Sequence, residues 1–141
     1  MTETRLISDK VFLDTNILVY SYSVSEKEKQ EIVRNLISET DSHISTQVLT
    51  ELTNTLTRKF KLPLNSAIKA IDECCANNHV FVNNPETIKG AINIADRYGF
   101  SFYDSLIISA ALESDCKVLY SEDLHNGQII EKKLKIQNPF L

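Results

Sequence analysis

Short apolar runs alternate with helical segments along this chain, and that alternation is the strongest constraint on its fold. Runs of a few apolar residues, too short for a helix, recur as in VFLD at 11–14 and HVFV at 79–82. Between such runs, stretches such as QVLTELTNTLTRKF at 47–60 repeat apolar residues every three or four positions. Strands that alternate with helices are typical of a parallel sheet covered on both faces. The sequence therefore predicts an α/β fold.

The predicted elements have short joints, because the chain contains only 3 Gly and 3 Pro. The apolar runs predict strands at 11–14, 43–46, 79–82 and 117–121, and a last edge strand at 133–137. The periodic stretches predict helices at 25–38, 47–60, 65–76, 84–99 and 103–114. Ser25 and Glu28 have the spacing of a capping box for the first helix. Asn84 and Pro85 suit the start of the fourth helix, and Gly99 suits its end.

Length and composition indicate the class of protein. The 141 residues suit one domain spanning 1–141, and an apolar content of 43% is ordinary for a globular protein. No apolar run approaches the roughly 20 residues of a membrane span, and the opening MTETRLISDK lacks the pattern of a signal peptide. We therefore expect a cytoplasmic protein without membrane association. The net charge of -4 disfavours a broadly basic nucleic-acid-binding surface but leaves room for a local basic patch.

The cysteines and histidines give no sequence signal for a metal site or a disulfide framework. The chain has three of each type: Cys74, Cys75, Cys116, His43, His79 and His125. None of them has the spacing of a zinc site, and an odd number of cysteines does not fit a disulfide framework. We expect the cysteines to be reduced and mostly buried, and each histidine to be structural or at the surface.

Three polar residues interrupt an otherwise apolar stretch, KVFLDTNILVY at 10–20. They are Asp14, Thr15 and Asn16. An unpaired buried carboxylate costs enough free energy that it usually has a partner or a metal. Asp14 ends the first predicted strand, and Asp123 follows another strand end. In open α/β sheets, binding sites lie beyond the carboxyl ends of the strands, so both acids are candidates for a site.

Two further acids are candidates because of their positions on predicted helices. On a helical wheel, Asp104 lies within the apolar arc of its helix, and Glu51 lies on the flank of the apolar face of its helix. Position alone leaves alternatives open. Asp104 also fits a capping box that begins at Ser101, and Glu51 also fits an ordinary boundary residue.

Four carboxylates at one end of a sheet have a common chemical interpretation. They repel one another unless cations lie among them. Oxygen ligands suit Mg²⁺ or Mn²⁺, and such ions serve phosphodiester cleavage by activating water and neutralising phosphate charge.

Four segments of the chain resemble, in order, the motifs of PIN-domain ribonucleases, in particular the VapC-type toxins of bacterial toxin–antitoxin pairs. They are FLDTNILVY, ISTQVLTEL, FYDSLIISAAL and LYSEDLHNGQ, and the similarity extends to the closing IQNPFL. The resemblance implies a three-layer α/β/α fold with a central, mainly parallel sheet. It also implies an endoribonuclease that depends on Mg²⁺ or Mn²⁺, acts on RNA, forms a homodimer and is inhibited by a cognate VapB-type antitoxin.

The resemblance assigns roles to individual residues. The four acids of the family, which bind metal and support catalysis, match Asp14, Glu51, Asp104 and Asp123. The family pattern of a hydroxyl residue, any residue and then Asp selects Asp123 and not the adjacent Glu122. The small polar residues that support the family's carboxylates match Thr15, Asn16 and Ser121.

Three basic residues lie near the end of the predicted helix that carries Glu51. Arg58, Lys59 and Lys61 are candidate contacts to RNA phosphates, although a solvated charged surface is an alternative interpretation.

A catalytically silent PIN interaction module and a nuclease acting on DNA remain open alternatives. A phosphoaspartate receiver-type signalling domain is a further alternative. It usually has paired acids after the first strand and a lysine after the last core strand, whereas Lys117 here precedes its strand.

Overall fold

The computed structural model describes residues 9–141, which contain a six-stranded sheet. The strands are β1 (Lys10–Leu13), β2 (Asp41–Ser45), β3 (His79–Phe81), β4 (Val118–Tyr120), β5 (Ile129–Ile130) and β6 (Leu134–Gln137). Their order across the sheet is β3-β2-β1-β4-β6-β5. Neighbouring strands are parallel except for β5 and β6, which are antiparallel.

The helices of the described residues connect these strands. They are α1 (Thr15–Val19), α2 (Lys27–Glu39), α3 (Thr46–Asn54), α4 (Leu64–Asn77), α5 (Pro85–Tyr98) and α6 (Phe102–Glu113). A 3-10 turn, Tyr20–Tyr22, follows α1, and a π-helical turn, Thr55–Lys59, follows α3. Within residues 9–141, no helix is long and apolar enough to cross a membrane.

The central strand shows that both faces of the sheet are covered. Successive side chains of a strand point to opposite faces. Val11, Phe12 and Leu13 of β1 are all buried, so each face packs against other parts of the chain. The predicted α/β fold with three layers and a mainly parallel central sheet is therefore confirmed. The expectation of one domain spanning 1–141 includes residues 1–8, which lie outside the described part of the chain, and it stays a prediction.

The helix ends agree with the sequence at one helix and disagree at another. Asn84 caps α5 by accepting hydrogen bonds from the first turn, and Gly99 ends that helix with a positive φ of 79°. The expected capping box of Ser25 and Glu28 does not form. Helix α2 begins at Lys27, so Ser25 precedes the N-cap position, and its hydroxyl lies 3.4 Å from the hydroxyl of Ser23 instead.

The edge of the sheet also differs from the prediction. The last predicted strand is β6, but it lies inside the sheet, and β5 forms the edge beside it. The two strands are joined through Glu131, Lys132 and Lys133, of which Glu131 and Lys132 have positive φ values of 52° and 58°. Turn positions with positive φ normally carry Asn or Gly, so the Glu-Lys sequence gave no signal for a hairpin.

Strand β1 lies where the topology changes direction. It pairs with β2 on one side and with β4 on the other. The chain adds β2 and β3 on the first side and then continues with β4 on the second side. A crevice forms beyond the carboxyl ends of the strands at such a switch point. Asp14 directly follows β1 and therefore lies at this crevice.

Candidate active site

Asp14 is positioned by both its strand and its helix. It caps α1, and its Oδ1 accepts a hydrogen bond from the backbone N–H of Thr15 at 2.7 Å. Its own backbone N–H donates to the carbonyl of Tyr120 in β4 at 3.0 Å. These bonds fix the carboxylate at the carboxyl end of the central strand.

The carboxylate of Asp14 is buried and has few compensating partners. The residue is only 7% exposed, and its Oδ2 accepts a hydrogen bond from the Ser121 hydroxyl at 2.9 Å. Burial raises the pKa of Asp14 to about 6, against the lowering effect of the bonds from Ser121 and Thr15. The nearby negative charges of Asp104 and Glu51 raise that pKa further. The site thus holds more negative charge than its own hydrogen bonds balance.

Asn16 and Ser121 link Asp14 to Asp123. The Asn16 amide donates to Asp123 Oδ2 at 2.9 Å and lies 3.5 Å from Asp14 Oδ2. The Ser121 hydroxyl donates to Asp14 and accepts from the backbone N–H of Asp123 at 3.3 Å. Asn16 therefore contacts both carboxylates, and Ser121 joins the Asp14 carboxylate to the backbone of Asp123.

Glu51 enters the site from α3. The Thr15 hydroxyl donates to Glu51 Oε1, and the Gln47 amide donates to Glu51 Oε2 at 3.1 Å. The Gln47 amide also lies 3.1 Å from the carbonyl of Tyr103 in α6, so it connects two helices. Sequence reasoning did not identify Gln47. Its spacing of four residues before Glu51, which places both on one helix face, was the available signal.

Asp104 lies in the first turn of α6, and its carboxylate is not part of the helix cap. The Ser101 hydroxyl accepts from the Asp104 backbone N–H at 3.2 Å, so half of the expected capping box is present. Among residues 9–141, no hydrogen bond to the Asp104 carboxylate is found. The carboxylate remains available to the cleft beside Asp14.

One cleft of about 610 Å³ collects these groups. Its lining includes all four predicted acids together with Thr15 and Asn16: Asp14, Thr15, Asn16, Glu51, Asp104 and Asp123. Ser121 lies beneath them and is fully buried. Of the three predicted RNA contacts, Lys59 lines the cleft, whereas Arg58 and Lys61 do not.

Glu122 faces a different environment from Asp123. The Tyr20 hydroxyl donates to Glu122 Oε1 at 2.6 Å, and Lys29 lies 2.7 Å from its Oε2. Burial raises the pKa of Glu122, but the bonds from Lys29 and Tyr20 outweigh burial and leave that pKa below its usual value. Glu122 is therefore a neutralised ion-pair partner, and Asp123 is the acid that lines the cleft.

Comparison with known families identifies the family of this chain. The family model of the PIN domain matches residues 11–127, which is most of the chain. The chain belongs to the PIN-domain family. No curated protein sequence matches it.

Solved structures share the fold of this PIN domain at low sequence identity. VapC20 of Mycobacterium tuberculosis, a sarcin-ricin loop cleaving toxin, is 17% identical with a TM-score of 0.66, covering 80% of this chain and 89% of that one. A toxin–antitoxin complex from Klebsiella pneumoniae is 13% identical with a TM-score of 0.69, over 92% and 97% of the chains. VapBC2 from Rickettsia felis, bound to a promoter DNA fragment, is 19% identical with a TM-score of 0.63, over 92% and 98%. At these identities the similarity establishes the fold alone.

The donor set of this PIN domain fits a hard divalent cation. The acids of the cleft offer carboxylate oxygens, which Mg²⁺ and Mn²⁺ prefer. Within residues 9–141, no three of these acids bring their oxygens within 4.8 Å of one another. The pKa of Asp14 is raised mainly by burial, and the negative charges of Asp104 and Glu51 add to that effect, so a cation would be favoured here.

Two histidines of the PIN domain lie closer together than their sequence spacing indicates. His43 and His79 are adjacent in β2 and β3, and with Asp41 they form the one group of three in residues 9–141 whose potential ligand atoms lie within 4.8 Å. The prediction that each histidine is structural or at the surface stays a prediction, and nothing in the sequence spacing indicated this proximity. Asp41 and His79 begin their strands, so the group lies at the end of the sheet opposite the acidic cleft.

Proposed function

We propose that this protein is a metal-dependent endoribonuclease of the VapC toxin type, which hydrolyses RNA phosphodiester bonds and is neutralised by a cognate antitoxin. One observation carries the proposal. Four carboxylates from four separate parts of the chain meet in one cleft of a PIN domain: Asp14, Glu51, Asp104 and Asp123. These acids range from the buried Asp14 to the exposed Asp123, and carboxylates gathered in this way repel one another unless a cation lies among them.

The same four residues would hold Mg²⁺ or Mn²⁺. When bound, such an ion supplies charge neutralisation at the phosphate and activation of water. The other polar residues set the directions of the carboxylates. Asn16 and Ser121 hold Asp14 relative to Asp123, and Thr15 fixes Glu51 relative to Asp14.

The RNA backbone needs positive charge near this acidic cleft. Lys59 lines the cleft with the acids and is its candidate phosphate contact. It belongs to the π-helical turn after α3, and such turns often occur at functional sites. Arg58 and Lys61 flank it in sequence and would extend the contact along the RNA.

The partners follow from the same comparison. Structural neighbours include toxin–antitoxin assemblies, which supports an antitoxin that covers the cleft and acts as an inhibitor. Exposed apolar side chains support contacts with a second chain, because such surface tends to mark interfaces. Ile88 and Ile92 of α5 and Tyr103 of α6 are examples. A homodimer and a cytoplasmic location remain part of the proposal.

The decisive experiment is cleavage of end-labelled RNA by purified protein. We expect cleavage with Mg²⁺ or Mn²⁺, none with EDTA, and loss of activity in D14N and D104N. E122Q is the matched control, because Glu122 is an acid beside the site that does not line the cleft. Cleavage that survives EDTA or the D14N/D104N double substitution would refute the proposal.

The same assay separates the rival functions. A silent PIN module would fold and yet cleave nothing under any metal condition. A nuclease specific for DNA would cleave a DNA strand of matched sequence in preference to the RNA. A receiver-type domain would instead form an aspartyl phosphate with acetyl phosphate, which mass spectrometry detects.

A further inference from the structure

The cluster of Asp41, His43 and His79 has the contacts of a metal site. Nε2 of His79 lies 2.9 Å from Oδ1 of Asp41, and Nε2 of His43 lies 3.4 Å from Oδ2 of the same carboxylate. The two imidazole rings are stacked, with centroids 4.6 Å apart and planes inclined by 27°. Ligand atoms about 2.1 Å from a tetrahedral zinc ion lie about 3.4 Å from one another, so these separations need little adjustment.

We propose that Asp41, His43 and His79 bind a transition-metal ion of the Zn²⁺ class at the amino-terminal end of the sheet. Two imidazole nitrogens with one carboxylate oxygen suit Zn²⁺, Co²⁺ or Ni²⁺ better than Mg²⁺. Three protein ligands leave a fourth position open to water or to a group from another molecule.

An unsatisfied nitrogen supports this assignment over a purely structural ion pair. Nε2 of His43 is buried, and its 3.4 Å approach to Asp41 Oδ2 lacks hydrogen-bond geometry, so it has no hydrogen-bond partner among the described residues. A buried polar atom without a partner is costly, and such an atom in a native fold calls for a ligand or a functional explanation.

The backbone holds the ligands before any ion binds. His43 and His79 occupy paired positions of the parallel strands β2 and β3, so the sheet itself fixes their separation. Asp41 lies two residues before His43 on the same face of β2. The access route is also present, because the His79 side chain is 69% exposed while that of His43 is 12% exposed.

The local charge also favours a cation at this end of the sheet. Helix α2 ends at Glu39 just before β2, and α4 ends at Asn77 just before β3. The carboxyl ends of helices carry partial negative charge and stabilise cations. Lys10 is the competing cation in register with Asp41, but its ammonium group lies 3.4 Å from the carbonyl of Ser114.

The test is calorimetric titration of the full chain with ZnCl₂ in excess Mg²⁺, which is added to compete for the acidic cleft. We expect one Zn²⁺ per chain, and at least a 10-fold loss of affinity in H79A, because even lost outer-shell partners cost about 10- to 100-fold. H125A is the matched control, since His125 is an exposed histidine outside the group. Co²⁺ should give the visible absorption of a tetrahedral ion in wild type and not in H79A.

Two further variants keep the test informative. D41N should weaken Zn²⁺ binding as H79A does, and circular dichroism should show that both variants remain folded. D14N/D104N should bind Zn²⁺ as wild type does, because the acidic cleft lies at the other end of the sheet. The proposal is overturned if wild type binds no Zn²⁺, if H79A and D41N bind it unchanged, or if D14N/D104N abolishes binding. None of these results depends on ribonuclease activity.

Discussion

Replacing Asp14 by Asn should make the metal-free protein more stable at neutral pH and less stable in acid. The substitution keeps the shape of the side chain and its cap on α1, in which Oδ1 accepts from the Thr15 N–H. It removes a buried negative charge whose pKa in the folded protein is about 6, compared with an ordinary value of 3.8. The consequence for the free energy of unfolding depends on pH.

The sign follows from proton linkage. Between pH 3.8 and about 6 the folded protein binds more protons at Asp14 than the unfolded chain does. The free energy of unfolding of wild type therefore falls as pH rises through this window and stays lowered above it. The two pKa values correspond to about 3 kcal/mol. D14N also has an unfavourable effect on stability. The new Asn amide directs a donor at the Ser121 hydroxyl and the Asn16 amide, which are donors to Asp14 in wild type, and this mismatch costs about 1–2 kcal/mol at every pH.

The prediction is a change of sign in the stability difference. D14N should be about 1–2 kcal/mol more stable than wild type at pH 8 and less stable by a similar amount at pH 4. Urea unfolding in EDTA at several pH values measures this difference. E122Q is an opposite-sign control, because the pKa of Glu122 is lowered and its stabilising effect is lost as pH falls. Mg²⁺ should stabilise wild type more than D14N. A D14N difference that stays constant from pH 4 to pH 8 would refute the reasoning.

Three other substitutions test the site and the packing. D123N should lower the rate of RNA cleavage about 100-fold, because several kcal/mol of transition-state stabilisation would be lost. E122Q should cleave near the wild-type rate. Equal losses in D123N and E122Q would contradict the assignment of Asp123, and not Glu122, to the site. G90A should lower the free energy of unfolding by about 1–2 kcal/mol, because its Cβ would lie 2.6 Å from the Ser109 hydroxyl. In an S109A background, G90A should be neutral or stabilising. Thermal unfolding of wild type, G90A, S109A and G90A/S109A checks this. N84A should cost about 1 kcal/mol by removing the cap of α5, measured by urea unfolding.

The sequence was informative where local chemistry decides the structure. The ends of α5 were predictable because Asn84, Pro85 and Gly99 each have a conformational preference that suits their position. The buried strand β1 was predictable because a short apolar run at a sheet centre leaves few alternatives. The two-residue β5 and the π-helical turn Thr55–Lys59 were not predictable, since both depend on packing and not on local residue preferences.

The candidate site was predictable in part, and one argument for it was weaker than it looked. The helical wheel placed Asp104 within an apolar arc, but the seven residues from Ser105 to Ala111 are all buried. A helix buried all round has no single apolar face, so the wheel gave Asp104 no direction. The structure distinguishes Asp104 in another way, because Ser101 caps α6 and no hydrogen bond to the Asp104 carboxylate is found in the described part of the chain. Gln47, His43 and His79 were missed, since only helix packing and strand register reveal their contacts.

The two ends of a parallel sheet are chemically different, and this difference accounts for the placement of both clusters. Helices begin at the carboxyl ends of the strands, where Asp14 caps α1 and Asp104 lies in the first turn of α6. The partial positive charge of helix starts stabilises carboxylates there. Helices end at the opposite side, where α2 and α4 lead into the strands of Asp41 and His79. An all-oxygen cluster and an imidazole cluster also select different ions. We therefore expect Mg²⁺ and Zn²⁺ to titrate independently, and failure of either proposed site would leave the other proposal standing.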